Sequence, residues 1–359
     1  MKSRFSYFLL ATALVAASLT GCKKDDETLP EVLPSDGKEV TLDGGTGGAN
    51  AENEAFMDMS TDGASTAKRA SWDVGFYTGT DFRVILNNTT AAGIKVTTAT
   101  DLANIGAADT IGLTLATSQL APEAAHYAFF DAINGDISAT AIPAVSATAT
   151  DNKVIIINRG TGGGIAARPW IKARFTRNTT GGYTVQFGTI TQTTGFYTLD
   201  VAKNSDYHFT FASFDNGGKV VTVQPKKKEW DFAWGFSVYE ANFGSGLVPY
   251  GFSDMIMLNY LSGVQAAEKV YASSTDATTA FDKFNKDSVN ASTTVFSSNR
   301  WAIGSKWRST QPATGARQDR FYIVKDPVGN FYKLKFISMG VGTDGGERGK
   351  PKFNYVLIK

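Results

Sequence analysis

Cysteine is almost absent from this chain: Cys22 is the single one among 359 residues. A disulfide framework, a catalytic thiol and a Cys-based metal site are therefore excluded from the rest of the sequence. Histidine occurs twice, as His126 and His208. These two form neither a His-x-x-x-His zinc pair nor part of a Ser-His-Asp arrangement. An excess of charge is also missing, since 35 Lys and Arg face 34 Asp and Glu. Nothing in that balance attracts nucleic acid or an anionic membrane surface. No apolar run is long enough to span a bilayer, which takes about 20 residues. Proline is sparse, at 10, whereas glycine reaches 36 and aromatics 12%. Thr, Val, Phe and Tyr crowd the segments between glycines, a pattern of strands and tight turns rather than helices.

The longest apolar stretch lies at the start. Met1-Lys2-Ser3-Arg4 is a basic opening, Phe5 to Leu19 is apolar, and Leu19-Thr20-Gly21-Cys22 closes the segment. That order is a secretory signal with a small-residue cleavage site. Its ending resembles a bacterial lipobox, which implies that residues 1–22 are a signal and that Cys22 carries the lipid anchor. Residues 23–38 begin with Lys23-Lys24-Asp25-Asp26-Glu27 and continue as a polar run containing Pro30 and Pro34. Such a segment buries too little apolar surface to offset its ordering entropy and reads as a flexible tether. A lysine followed by acidic residues at this place resembles the surface-export signal of Bacteroidetes lipoproteins. The expected address is the outer membrane, at the cell surface, with the periplasmic face as the alternative.

The remainder repeats itself. Thr41-Leu42-Asp43 recurs as Thr198-Leu199-Asp200, and Ala55 to Met59 is matched to His208 to Ala212. Ser71-Trp72-Asp73-Val74-Gly75-Phe76 returns as Glu229-Trp230-Asp231-Phe232-Ala233-Trp234, and Phe82 to Asn87 as Asp254 to Asn259. Each copy ends in two strands, 169–175 with 183–187 and 331–336 with 352–357. Two units follow, 39–195 and 196–359, the second interrupted by an insertion from Gly235 to Phe252. A period this long is not that of a solenoid. Val154 to Ile157 reads as a strand covered on both faces, and Asp326-Pro327-Val328-Gly329-Asn330 as a turn. Thr275 to Val289, with Asp276 as cap, is the clearest helix, and Pro122 to Phe130 is a second candidate. The expected fold is mainly antiparallel β with a few short helices.

Gly340-Val341-Gly342-Thr343-Asp344-Gly345 fits G-x-G-x-x-G, yet Gly346 to Pro351 cannot open the helix that a dinucleotide site requires. It reads as a glycine-rich hairpin loop. Trp301 and Trp307, beside Lys306 and Arg308, suit either a core or a stacking surface. No catalytic constellation emerges, and an enzyme is not expected.

Taken in order, the Trp-Asp blocks, Val248 to Asp254, Gly263 to Glu268 and the closing run from Asp319 to Pro351 resemble the HmuY family of Bacteroidetes lipoproteins. The resemblance implies two HmuY-like units, an all-β fold, haem capture for iron uptake, and a TonB-dependent outer-membrane receptor as partner. Haem iron takes axial donors from His, Met, Cys or Tyr. Neither histidine matches the family's ligand positions, so the nearest substitutes are Met255 and Met257, two apart on one strand and on one face. Both suit a core equally well. Tyr239 and Tyr250 flank the insertion, where phenolate ligation and aromatic packing are the two roles open to them. A non-catalytic lipoprotein with its haem ligands lost, binding a protein, peptide or glycan, is the alternative.

Overall fold

The computed structural model describes residues 33–117 and 119–359. The signal, Cys22 and all but the last residues of the tether therefore lie outside the described residues. The first stretch supplies β1 (Glu39–Thr41), β2 (Asn53–Asp58), β3 (Gly63–Lys68), β4 (Val74–Tyr77), β5 (Val84–Leu86), β6 (Gly93–Val96), β7 (Ile155–Asn158), β8 (Ile171–Arg177) and β9 (Tyr183–Thr189). The second supplies β10 (Tyr197–Val201), β11 (Phe209–Ser213), β12 (Lys219–Val221), β13 (Phe232–Asn242), β14 (Leu247–Leu258) and β15 (Gln265–Val270). After α1 (Ser274–Lys283) and α2 (Lys286–Asn290) come β16 (Arg308–Thr310), β17 (Ala313–Ala316), β18 (Arg320–Lys325), β19 (Phe331–Ser338) and β20 (Lys352–Leu357). The protein is mainly β, and every strand pair is antiparallel.

Strand order interleaves the two stretches. One four-stranded sheet runs β12-β11-β4-β5 and another β14-β13-β2-β3. The hairpin β2–β3 of the first stretch thus pairs with the second stretch, while β11–β12 pairs with the first. The two five-stranded sheets follow the same rule: β10-β9-β8-β7-β6 takes β10 across the boundary, and β1-β20-β19-β18-β15 takes β1. Every sheet of four or five strands mixes both stretches. Residues Pro34–Lys359 form one compact unit.

Alternation of side chains sorts the sheets into layers. Phe232, Trp234, Ile256 and Leu258 face Tyr322, Leu334, Phe336 and Phe353 in one core. Val74, Phe76, Val84 and Leu86 face Ile155, Ile157, Phe175 and Phe187 in a second. Each buried ring or branched chain contributes about 1.5–3 kcal/mol relative to exposure. The opposite faces of both four-stranded sheets meet in a third core, with Phe56, Ala233, Met255 and Met257 from one and Phe209 and Phe211 from the other. The molecule is two β-sandwiches joined through their inner sheets. Val154 and Ile156 pack outward against Leu102, Ile105 and Leu115, so the strand at 155–158 is covered on both sides, as its unbroken apolar run required.

Three local expectations are corrected. Backbone pairing places Met57 opposite Phe232 and Ala212 opposite Val74, so Met57 corresponds to Ala212 rather than Thr210. The sequence match was two residues off, an error that a period of two cannot reveal. The helix at 275–289 is broken after Lys283: Lys333 Nζ, from β19, takes the Phe281 carbonyl at 2.6 Å and those of Asp282 and Phe284 at 3.3 and 3.4 Å. Its cap is Ser273, whose Oγ accepts from the Asp276 N–H at 3.1 Å, not Asp276 itself. The segment at Pro122 to Phe130 forms a 3₁₀ helix, Ala124–Phe129.

Candidate functional site

Between the two inner sheets the third core is incomplete. A cleft of about 970 Å³, mouth included, opens there. Its floor follows from the register: Phe56, Ala233 and Met257 form one row across β2, β13 and β14, of which Ala233 and Met257 reach the cleft, and Glu54 stands two residues along β2 on the same face. Gly235 and Ala233 carry little or no side chain, which leaves space above β13. Trp72 and Trp230, the paired residues of the two Trp-Asp motifs, both line the cleft. Trp230 meets Phe56 edge-on at 5.4 Å, and Trp72 meets Phe211 at 4.8 Å. The far wall is the segment 130–140, tied down by Asp131, whose carboxylate accepts from the Leu86 and Ala141 N–H groups at 2.7 and 2.8 Å.

The motif aspartates anchor this frame differently. Asp73 accepts from Arg159 Nε and Nη2 at 2.7 and 2.8 Å, from Arg168 Nη1 at 3.2 Å, and from the Phe214 N–H at 2.7 Å. Asp231 accepts from the Met59 N–H at 2.6 Å but meets no cation among the described residues. Burial, with Asp58 and Asp326 nearby, holds its carboxyl well above the usual range. Arg159 follows β7 directly and Asp326 follows β18, so the second sandwich places an acid where the first places a guanidinium. The Asn that ends each motif strand repeats its role: Asn87 Nδ2 donates to the Arg69 and Trp72 carbonyls, and Asn259 Nδ2 to those of Lys227 and Trp230.

Charge inside the cleft is sparse and unpaired. Glu54 is 5% exposed, makes no hydrogen bond through its carboxylate among the described residues, and is pushed up to about 7 by burial. Burial likewise raises Asp131 to about 6. Arg300 stacks over Trp301 at 4.9 Å and donates from Nη2 to Met257 Sδ at 3.4 Å. His208 is held neutral, its pKa lowered to about 4 by burial and by Lys227. The Ser262 hydroxyl donates to the Lys227 carbonyl, so the 2.7 Å contact between His208 Nε2 and Ser262 Oγ is donated by the ring. The Nδ1 lone pair is left over.

Met257 lines the cleft; Met255 lies in the same core, fully buried and off the cleft wall. Tyr239 packs between Phe252 at 5.9 Å and Trp301 at 4.8 Å, and Tyr250 between Phe243 and Phe252. Neither tyrosine lines the cleft. The insertion from Gly235 to Phe252 is the extension of the β13–β14 hairpin that carries these rings. Trp307 is fully buried with its Nε1 donating to the Asp254 carbonyl, and Trp301 donates to the Ile133 carbonyl at 2.7 Å. His126 stacks on Phe129 away from the cleft. Sequence reasoning missed Glu54, Arg300 and the cleft position of His208. The signal for Glu54 was an acid within the apolar alternation of 54–59. No group of three His, Cys, Asp or Glu suited to a metal ion occurs among the described residues. No helix among them is long and apolar enough to cross a membrane.

The comparisons agree with the frame. No curated protein and no solved structure gives a significant match. The family model described as HmuY protein matches residues 50–355, from just before β2 into β20 and across both Trp-Asp motifs. The chain belongs to the HmuY protein family.

Proposed function

We propose that the protein is a surface-anchored haem-binding lipoprotein that captures haem as an iron source and does no chemistry on it. The family is a non-catalytic haem-binding one. The single observation that carries the reading here is the apolar cleft between the inner sheets, walled by Trp72 and Trp230. A flat porphyrin buries apolar faces against such walls and needs few polar contacts. Two soft or borderline donors reach the cleft, Met257 and His208; thioether sulfur suits ferrous iron and imidazole either state. Arg300 is the cation able to meet a porphyrin carboxylate. On this reading Cys22 carries the lipid that holds the protein to the outer membrane, and a TonB-dependent receptor takes the haem onward. The stretches 39–195 and 196–359 are two copies of one unit.

Titration with haemin, oxidised and then reduced, tests the proposal. A shifted Soret band is expected, altered by Met257→Ala and by His208→Ala and unaffected by Met255→Ala. No spectral change in either oxidation state would refute haem capture. That outcome favours the second reading, a binding lipoprotein without haem, for which the acids Glu54 and Asp131 in the cleft argue.

A further inference from the structure

The two sandwiches serve as each other's control. Where β2 of one places Glu54 on the cleft face, β11 of the other places Phe209, by the same pairing with β13 and β4. Phenylalanine is what that apolar face calls for. A carboxylate there, 5% exposed and without a hydrogen bond among the described residues, costs folding free energy unless a ligand or water in the cleft supplies its partner. The second departure is at the paired asparagines. Asn87 Oδ1 accepts from Thr89 N and Oγ1 at 3.0 and 2.7 Å. Two residues past Asn259 stands Leu261, so Asn259 Oδ1, on a side chain 1% exposed at the cleft wall, has no partner. Asp131 does not share this condition, because two backbone N–H groups satisfy it. Arg300 forms no ion pair with Glu54 among the described residues; it stacks over Trp301, donates from Nη2 to Met257, and acts on Glu54 only through its field.

Two unmatched groups of the cleft, Glu54 and Asn259 Oδ1, are acceptors, and the two indole N–H groups of its aromatic walls, Trp72 and Trp230, are donors without a partner among the described residues. We infer that the cleft takes an organic ammonium: an apolar or aromatic body whose protonated amine donates to Glu54 and whose own acceptor meets an indole N–H of the wall. Tryptophan faces favour the same charge. The inference concerns the cleft used for the haem reading but does not depend on it, since neither Met257 nor His208 is required.

The test uses two probes of one ring and opposite charge, 2-naphthylmethylamine and 2-naphthylacetate, titrated calorimetrically into the purified chain. The amine should bind at least about tenfold more tightly than the acetate, the usual effect of losing a charged hydrogen-bond partner. Glu54→Gln should weaken the amine by a similar factor and leave the acetate unchanged or improved. Glu54→Phe, which installs the residue of the other sandwich, should abolish amine binding with the melting transition retained. Acetate binding as tight as the amine, no binding of either probe, or an unchanged amine affinity in Glu54→Gln would each overturn the inference. The first two need only the unaltered protein. Haemin titration is read separately, so failure of one leaves the other standing.

Discussion

Aspartate to asparagine at the two motif positions should act in opposite directions. Asp73 holds Arg159 through two hydrogen bonds of 2.7 and 2.8 Å and Arg168 through a third of 3.2 Å, in a site where its side chain is 1% exposed. Asn at 73 turns an amide N–H₂ towards guanidinium donors and leaves buried cations short of charge. Breaking one partner of a buried pair costs about 3–5 kcal/mol. The low end applies, because Arg159 keeps Asp215 at 2.8 Å. For a chain of this size, with an unfolding entropy of about 2.1 cal/mol/K per residue, about 3 kcal/mol lowers the melting temperature by roughly 4–5 °C. Asp231 has the same backbone role and no cation. Its carboxyl is raised by burial, so the folded state holds a proton that the unfolded chain releases above about pH 4. The fold therefore loses about 1.4 kcal/mol per pH unit from there up to the folded-state pKa. Asn at 231 keeps an acceptor for the Met59 N–H, brings donors towards Asp58 and Asp326, and removes that loss. Asp231→Asn should stabilise at pH 7.5, by a margin that shrinks to nothing near pH 4. Scanning calorimetry of both variants between pH 4 and 8 decides it. Equal destabilisation by the two substitutions would refute the assignment of ion pairing to one sandwich and a protonated acid to the other.

Glu54→Gln, from a folded-state value of about 7 against 4.5, should raise stability by about 3 kcal/mol at pH 8 and by nothing below pH 4.5. Urea midpoints at those two pH values check the sign. Arg69 is fully buried and donates to the Ala51, Thr89 and Gly163 carbonyls at 2.6–2.7 Å and to those of Gly162 and Asn50 at 3.0 and 3.3 Å. Arg69→Met should cost about 3 kcal/mol or more by leaving buried carbonyls unmatched, with faster hydrogen exchange at residues 162–164. Lys333→Met should cost about 1–3 kcal/mol and release α1 first, read as lost exchange protection across Ser274–Lys283 while β18–β19 stays protected.

The recurrence of Trp-Asp and of the strand ending in Asn was legible in the sequence, and Asn87 and Asn259 make matching contacts, each donating to the carbonyl of its motif tryptophan. Fold class followed from alternation and glycine punctuation. Pairing did not. On the side away from β3, β2 meets β13 rather than another strand of its own stretch, and nothing local in 53–58 distinguishes those partners, since either presents an apolar alternation. The cleft was out of reach for the same reason. Met255 and Met257 were rightly placed on one face, as two residues apart must be, but which of them meets the opening depends on Gly235 and Ala233 beside them. Glu54 was visible as an acid among apolar residues; that it lacks a partner is a property of three dimensions.

The crossing of hairpins between sandwiches has a consequence for engineering. Neither stretch alone could complete a sandwich, because each inner sheet needs a hairpin from the other. Since β1 lies against β20 just as β10 lies against β9, and Asp36 and Lys38 continue that pairing to Leu357 and Tyr355, joining Lys359 to Pro34 by a short linker and opening the chain near Gly195 should yield the same fold read in the other order.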